Sequence, residues 1–179
     1  QLGSSYVQAL QHTGVAACLK HFAANSQETH RQTADSRIDP RALREIYLSA
    51  FETVIKTAKP ASVMAAYNKL NGTYACENRS LLTDILRREW GFDGAVISDW
   101  GACTNLTRAL QAGMDLEMPD SRGIHKKLLR RDLAARKIDP IAIKAAAHRV
   151  AKLADTYAVE HRKRQKPYDT AHHHSLAVR

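Results

Sequence analysis

Four polar clusters follow directly on apolar runs: Lys20-His21, Tyr67-Asn68, Asp99-Trp100 and Glu117-Met118-Pro119. Asp99 leaves the run Ala95-Val96-Ile97-Ser98. A carboxylate in that position serves as nucleophile, general base, metal ligand or helix cap, and capping is the common structural use. Its company adds to the case for chemistry. If the apolar runs are neighbouring strands, Lys20, His21 and Tyr67 converge with Asp99 on one mouth. Nearby cations favour the ionised carboxylate. A carboxylate kept charged at neutral pH can attack carbon. Trp100 offers a flat apolar face beside polar groups, which suits the C–H face of a sugar ring. Lys and His can donate to the hydroxyls of that sugar. The plainer alternatives are a strand end held by helix carbonyls at Lys20-His21 and ordinary core packing at Met64 and Tyr67.

The elements that must position these residues alternate between strand and helix. Residues 15–20 form a short apolar run after Thr13-Gly14 and read as a buried parallel strand. Asp39-Pro40 supplies an N-cap and a first-turn proline. Behind it Leu43, Ile46, Tyr47, Ala50, Phe51, Val54 and Ile55 recur at helical spacing, up to Lys59-Pro60. Residues 62–67 make a second strand, and a polar loop runs from Asn68 to Arg79. Leu81, Leu82, Ile85, Leu86 and Trp90 form the next stripe, stopped by Gly91. Residues 95–98 are the third strand, and Leu106, Ala109 and Leu110 lie on a short helix stopped by Gly113. Met114 to Met118 is the expected fourth strand. Helices are expected near 124–135 and 140–157, with a polar, basic, extended tail from Arg162 to Arg179. The run His172-His173-His174 in that tail reads as a surface tract rather than a metal site.

Repeated βα units argue for an α/β fold with a parallel sheet and helices outside it. Polar side chains at the carboxyl ends of successive strands are the arrangement of a (β/α)8 barrel. Neither G-x-G-x-x-G nor G-x-x-x-x-G-K-[ST] is present, which disfavours a nucleotide-binding sheet. A full barrel takes about 250 residues, so four βα units in 179 residues read as the C-terminal half of a TIM-type barrel, followed by helices and a linker.

Composition sets the outer limits. A hydrophobic fraction of 44% with 25% charged residues is that of a globular chain. No apolar run approaches the roughly 20 residues of a membrane helix. Gln1-Leu2-Gly3-Ser4-Ser5 has neither a basic nor a long apolar stretch, so no signal peptide is expected. With no Met at position 1 the chain is expected to start within a longer protein. The formal charge of +9 is concentrated after residue 121, where 15 basic side chains face 5 acidic ones. No zinc-finger spacing or RNA-binding aromatic signature accompanies that charge, so nucleic acid is not the expected partner, and a basic interaction module over 122–179 is the remaining alternative from that class. Cys18, Cys76 and Cys103 show no C-x-x-C and imply neither a disulfide framework nor a metal site. The compartment is not legible, though three such cysteines lean toward the reducing cytoplasm over the periplasm or secretion.

Taken together, the blocks resemble the family 3 glycoside hydrolases, the β-glucosidase family. Lys20-His21-Phe22-Ala23-Ala24-Asn25-Ser26-Gln27-Glu28-Thr29-His30-Arg31 is similar to that family's K-H-F-x-x-N-x-x-E-x-x-R block. Val63 to Gly72 resembles the next block. Leu86 to Gly94, followed by Val96-Ile97-Ser98-Asp99-Trp100, resembles the nucleophile block, and Gly113 to Pro119 the one after it. The order and spacing match over about residues 10–157. The resemblance implies that Asp99 is the catalytic nucleophile and that Lys20, His21, Met64 and Tyr67 line the subsite for the non-reducing glucose, with Trp100 bordering it. Asn25, Glu28 and Arg31 are expected to organise their loop rather than touch sugar. Phe22 is followed by Ala23-Ala24-Asn25 rather than a Pro-Gly-His-Gly loop, which favours the glucosidase or xylosidase branch over the N-acetylglucosaminidases.

The resemblance further implies hydrolysis of terminal β-D-glucosyl residues by retaining double displacement, without a cofactor or metal. β-Xylosidase or arabinosidase activity is the alternative within the family, and a non-catalytic sugar-binding fragment is the alternative outside it. The family's acid/base is a Glu of a second domain, and its sugar-gripping Asp and Arg lie on earlier strands. None of Glu28, Glu77 and Glu117 matches the acid/base motif. Residues 1–160 are therefore expected to be part of the N-terminal barrel domain and 161–179 a linker. The partners expected are a β-glucoside or related oligosaccharide, the missing barrel half and the second domain, with no membrane. Open strand edges predict poor solubility or dimerisation of these residues on their own.

Overall fold

The structure is a computed structural model and describes residues 1–164 and 169–178. It opens with helix α1 (Leu2–His12), strand β1 (Cys18–Phe22) and the short strand β2 (Asp35–Ser36). Helix α2 (Pro40–Ala42), a π-helical turn (Leu43–Tyr47) and helix α3 (Ser49–Ala58) lead to strand β3 (Ser62–Ala65). A hairpin of β4 (Lys69–Leu70) and β5 (Thr73–Tyr74), a π-helix (Ser80–Glu89) and strand β6 (Ala95–Ser98) follow. Helices α4 (Leu106–Ala112), α5 (Ile124–Ala134), α6 (Pro140–Arg164) and α7 (Thr170–Ala177) complete the chain.

β1, β3 and β6 form one parallel sheet in that order. Alternate residues of a strand face opposite sides. Val63, Ala65, Val96 and Ser98 are fully buried toward the helix layer, where Phe22, Leu48, Leu82, Leu86 and Met114 fill the core. Met64 and Ile97, paired across β3 and β6, are only half-buried. The expected fourth strand is reduced to a single bridge between Ile97 and Leu116. A side chain is the reason: the Asp115 carboxylate accepts the Val96 amide at 2.7 Å, occupying the donor a further strand would use. The structure thus holds a small parallel sheet with helices in place of four complete βα units.

Local signals act as their chemistry predicts. Asp39 Oδ1 accepts the amides of Arg41 and Ala42, both at 3.0 Å, and Asp139 Oδ1 accepts that of Ile141 at 2.8 Å. Gly113 ends α4 at φ +109°, and a Cβ there would lie 2.7 Å from Thr83 Oγ1. The stripe Leu81, Leu82, Ile85, Leu86 and Trp90 is buried throughout.

Other expectations shift. The first strand starts at Cys18 and runs on to Phe22, leaving Val15 exposed, because pairing with β3 continues past Lys20. The π turn changes the phase of the following helix, so Leu48 is fully buried while Ile46 stays exposed. The expected loop after Asn68 contains a hairpin whose turn residues, Asn71 and Gly72, both take positive φ, as two-residue hairpins favour. Helix α1, absent from the sequence reading, packs Val7 against Val54 and Ala58. Where an extended tail is expected, α6 runs on to Arg164 and α7 is helical from Thr170, and residues 165–168 and 179 of that tail lie outside the described residues. No helix among the described residues is long and apolar enough to cross a membrane.

Candidate active site

Asp99 stands at the carboxyl end of β6. Its amide donates to the Ala65 carbonyl at 3.0 Å, which ties it to the end of β3. Oδ1 accepts the Trp100 amide at 2.7 Å, and Oδ2 lies 3.3 Å from His21 Nε2. The Asp99 side chain is 12% exposed and that of His21 is 35% exposed, so one edge of the pair is open to a ligand. Asp99 does not cap the next helix. That task falls to Asn105, whose Oδ1 accepts the Arg108 amide at 3.0 Å.

Tyr67 leaves β3 between these two residues. Its hydroxyl donates to the Trp100 carbonyl at 2.8 Å. Burial, then the neighbouring Asp99 carboxylate, pushes the phenol above its ordinary value, keeping it a neutral donor. Trp100 is 63% exposed and presents its ring at the mouth. Met64 lies half-buried on the central strand, and Lys20 is exposed on β1, outside the Asp99–His21 pair. The structure therefore brings Asp99, His21, Tyr67 and Trp100 together, with Met64 and Lys20 on the adjoining strands.

Two supporting groups were less visible from spacing. The Arg31 guanidinium lies 4.4 Å from the centre of the Tyr67 ring and is itself paired with Glu28 at 2.6 Å. Asn68, fully buried, donates to the Ala23 and Ala24 carbonyls at 3.3 Å and to that of Lys69 at 2.9 Å. It fixes the turn that follows β1. Only the register of these turns, not their sequence separation, could have revealed these contacts. The other carboxylates considered for acid/base work are engaged elsewhere: Glu28 with Arg31, Glu77 with Thr104 and Arg108, and Glu117 with His125.

Residues 1–153 match the glycosyl hydrolase family 3 N terminal domain. The chain belongs to this family. Thermostable β-glucosidase B of Acetivibrio thermocellus is 47% identical over 177 residues, covering 99% of this chain and 23% of that protein. An exo-α-(1→6)-L-arabinopyranosidase of Bifidobacterium longum is 56% identical over 115 residues, covering 64% of this chain and 15% of that protein. The structure of β-glucosidase 3B from Thermotoga neapolitana in complex with glucose superposes with a TM-score of 0.88 at 39% identity, over 97% of this chain and 25% of that one. The matches to this family 3 chain thus span 15–25% of the length of these relatives.

Proposed function

We propose that this family 3 chain supplies the nucleophile side of a retaining β-glucosidase, within the C-terminal half of a (β/α)8 barrel. Residues 1–160 would belong to the barrel and 161–179 would lead to the next domain. Asp99 attacks the anomeric carbon as the bond to the leaving oxygen breaks, giving a glycosyl ester. A second carboxyl protonates that oxygen and later takes a proton from the attacking water, which releases the sugar with its configuration retained. Such a pair needs a separation of about 5–5.5 Å. Glu28, Glu77 and Glu117 are bound to partners of their own, and the acid/base is assigned to a residue outside this chain. Lys20, His21, Met64, Tyr67 and Trp100 line the sugar subsite in this reading.

The observation that carries the reading is the Asp99–His21 contact at 3.3 Å. It joins the ends of the two outer strands of the sheet and gives a carboxylate and an imidazole one common approach. Incubation with a 2-fluoro dinitrophenyl β-glucoside, followed by intact mass, tests it. The fluorine slows breakdown of the ester, and the activated leaving group hardly needs protonation. One adduct mapping to Asp99, and none in Asp99→Asn, is expected. An adduct on another carboxylate overturns the assignment, and no adduct favours a non-catalytic, sugar-binding role for these residues alone.

A second reading within the family follows from the Bifidobacterium relative, whose name gives α-L-arabinopyranoside as its substrate. Arabinopyranoside and xyloside versions of the same reagent distinguish these donors. Faster labelling by either than by the glucoside would replace glucose as the preferred sugar.

A further inference from the structure

A cluster beside the candidate active site has ligand chemistry that the glycosidase reading does not use. Cys103 sits in the loop between β6 and α4, Glu117 follows the bridge at Leu116, and His125 lies in the first turn of α5. One ligating atom from each falls within 4.8 Å of the other two. Cys103 is buried, and the Glu117 and His125 side chains are 13% and 18% exposed. We propose that Cys103, Glu117 and His125 form a zinc-binding site that clamps the loop after Asp99 onto helix α5.

Sulfur, imidazole nitrogen and carboxylate oxygen together form a donor set suited to Zn²⁺. The charges balance as well. One thiolate and one carboxylate neutralise the dication, so the bound cluster carries no net charge into a poorly solvated place. Tetrahedral zinc bonds set neighbouring donors roughly 3.3–3.7 Å apart. His125 Nδ1 and Glu117 Oε1 are 2.8 Å apart, so side-chain rotation of under about 1 Å opens the pair to the metal. The ring is already aimed by its Nδ1 contact with Glu117, and the His125 amide donates to Ser121 Oγ at 3.0 Å, which holds the first turn of α5 at this place. A cavity of about 50 Å³, lined by Thr104, Asn105, Arg131 and Asp132 besides His125, adjoins the imidazole and is large enough for a water.

Binding balances simply. The Cys103 proton leaves to solvent as the S–Zn bond forms. With the ring proton on Nε2, the Nδ1 lone pair is free for the metal. Metal binding should therefore release protons and weaken as pH falls.

Metal-free chain is titrated with Zn²⁺ against a chromophoric chelator and, separately, with Co²⁺, whose thiolate complex absorbs in the near ultraviolet. Expected are one tight equivalent, a raised Tm, and a cobalt–thiolate band abolished in Cys103→Ser. In Glu117→Gln affinity should fall by more than the roughly tenfold that even outer-sphere changes produce. The double substitution His172→Ala, His174→Ala should leave the tight equivalent intact. Absence of the band, its survival in Cys103→Ser, or loss of tight binding with the His172 and His174 substitutions overturns the site. Should Cys103→Ser fail to fold by circular dichroism, Glu117→Gln and His125→Gln decide, and unchanged affinity in both overturns it.

Discussion

The Tyr67 hydroxyl donates to the Trp100 carbonyl at 2.8 Å, so the chain leaving β3 holds the chain leaving β6. Asp99 lies between those two points, its amide on the Ala65 carbonyl and its Oδ1 on the Trp100 amide. The candidate nucleophile is thus fixed by bonds to backbone on both sides rather than by its own rotamer alone.

Tyr67→Phe removes that tie. The lost hydrogen bond should cost about 1 kcal/mol, read as a lower urea midpoint with an unchanged slope. Trp90 is buried and Trp100 exposed, so acrylamide quenching of tryptophan fluorescence reports on Trp100. Quenching should increase in the variant.

Asp115→Asn tests the bond between sheet and helix α6. The Asp115 side chain is wholly buried and accepts from Arg87 at 2.6 Å, Arg149 at 2.7 Å and the Val96 amide at 2.7 Å. Neutralising it leaves two guanidinium groups facing each other without their anion. A loss of about 3–5 kcal/mol is expected, measured by urea denaturation. A change under about 1 kcal/mol would show that water replaces the carboxylate.

The thiols provide an alkaline probe. Burial, reinforced by Glu117, pushes Cys103 up to about 12, and burial pushes Cys76 higher still. Raised thiols bind protons in the folded state, so the stability they contribute is complete below the unfolded value of about 8.5. It is lost as pH climbs toward the folded values. The Tm of metal-free protein should fall from pH 8.5 to 10.5. Iodoacetamide at pH 8.5 should spare Cys76 and Cys103 until the chain is unfolded, as counted by mass.

Asp132 provides the acid counterpart. The Thr107 hydroxyl at 2.8 Å, then Arg131, hold its carboxyl below the usual range. Its contribution is present above about pH 4 and is lost as pH falls through the lowered folded value. Thr107→Val should therefore reduce stability at pH 6, and the gap to the parent should narrow by pH 2.5. A gap independent of pH would assign the loss to packing.

What could be read from sequence was mostly local. The bounds of β6, the caps at Asp39 and Asp139 and the stripe from Leu81 to Trp90 depend on neighbours within a few residues. The placement of Asp99 and Tyr67 followed from strand exits. What escaped depends on contacts between distant segments. Leu48 replaces Ile46 in the core only because a π turn shifts the helix phase. The fourth strand shrinks to a bridge because the Asp115 side chain, rather than a backbone carbonyl, meets Val96. Arg31 reaches Tyr67 across a turn whose course no periodicity records.

The parallel sheet also bears on how the chain can be made. β1, β3 and β6 pair in parallel, so no two of them are joined directly by a hairpin; the Ser62 hydroxyl meets the Ala17 carbonyl across 45 positions. Pairings between such distant segments form slowly, because the intervening chain must be ordered first. During synthesis, β1 therefore leaves the ribosome well before its partner, with Leu19 and Phe22 uncovered until α3 and β3 arrive. Pausing of translation ahead of residue 62 would prolong that interval, and a holdase chaperone would find its binding sequence there rather than in the finished site.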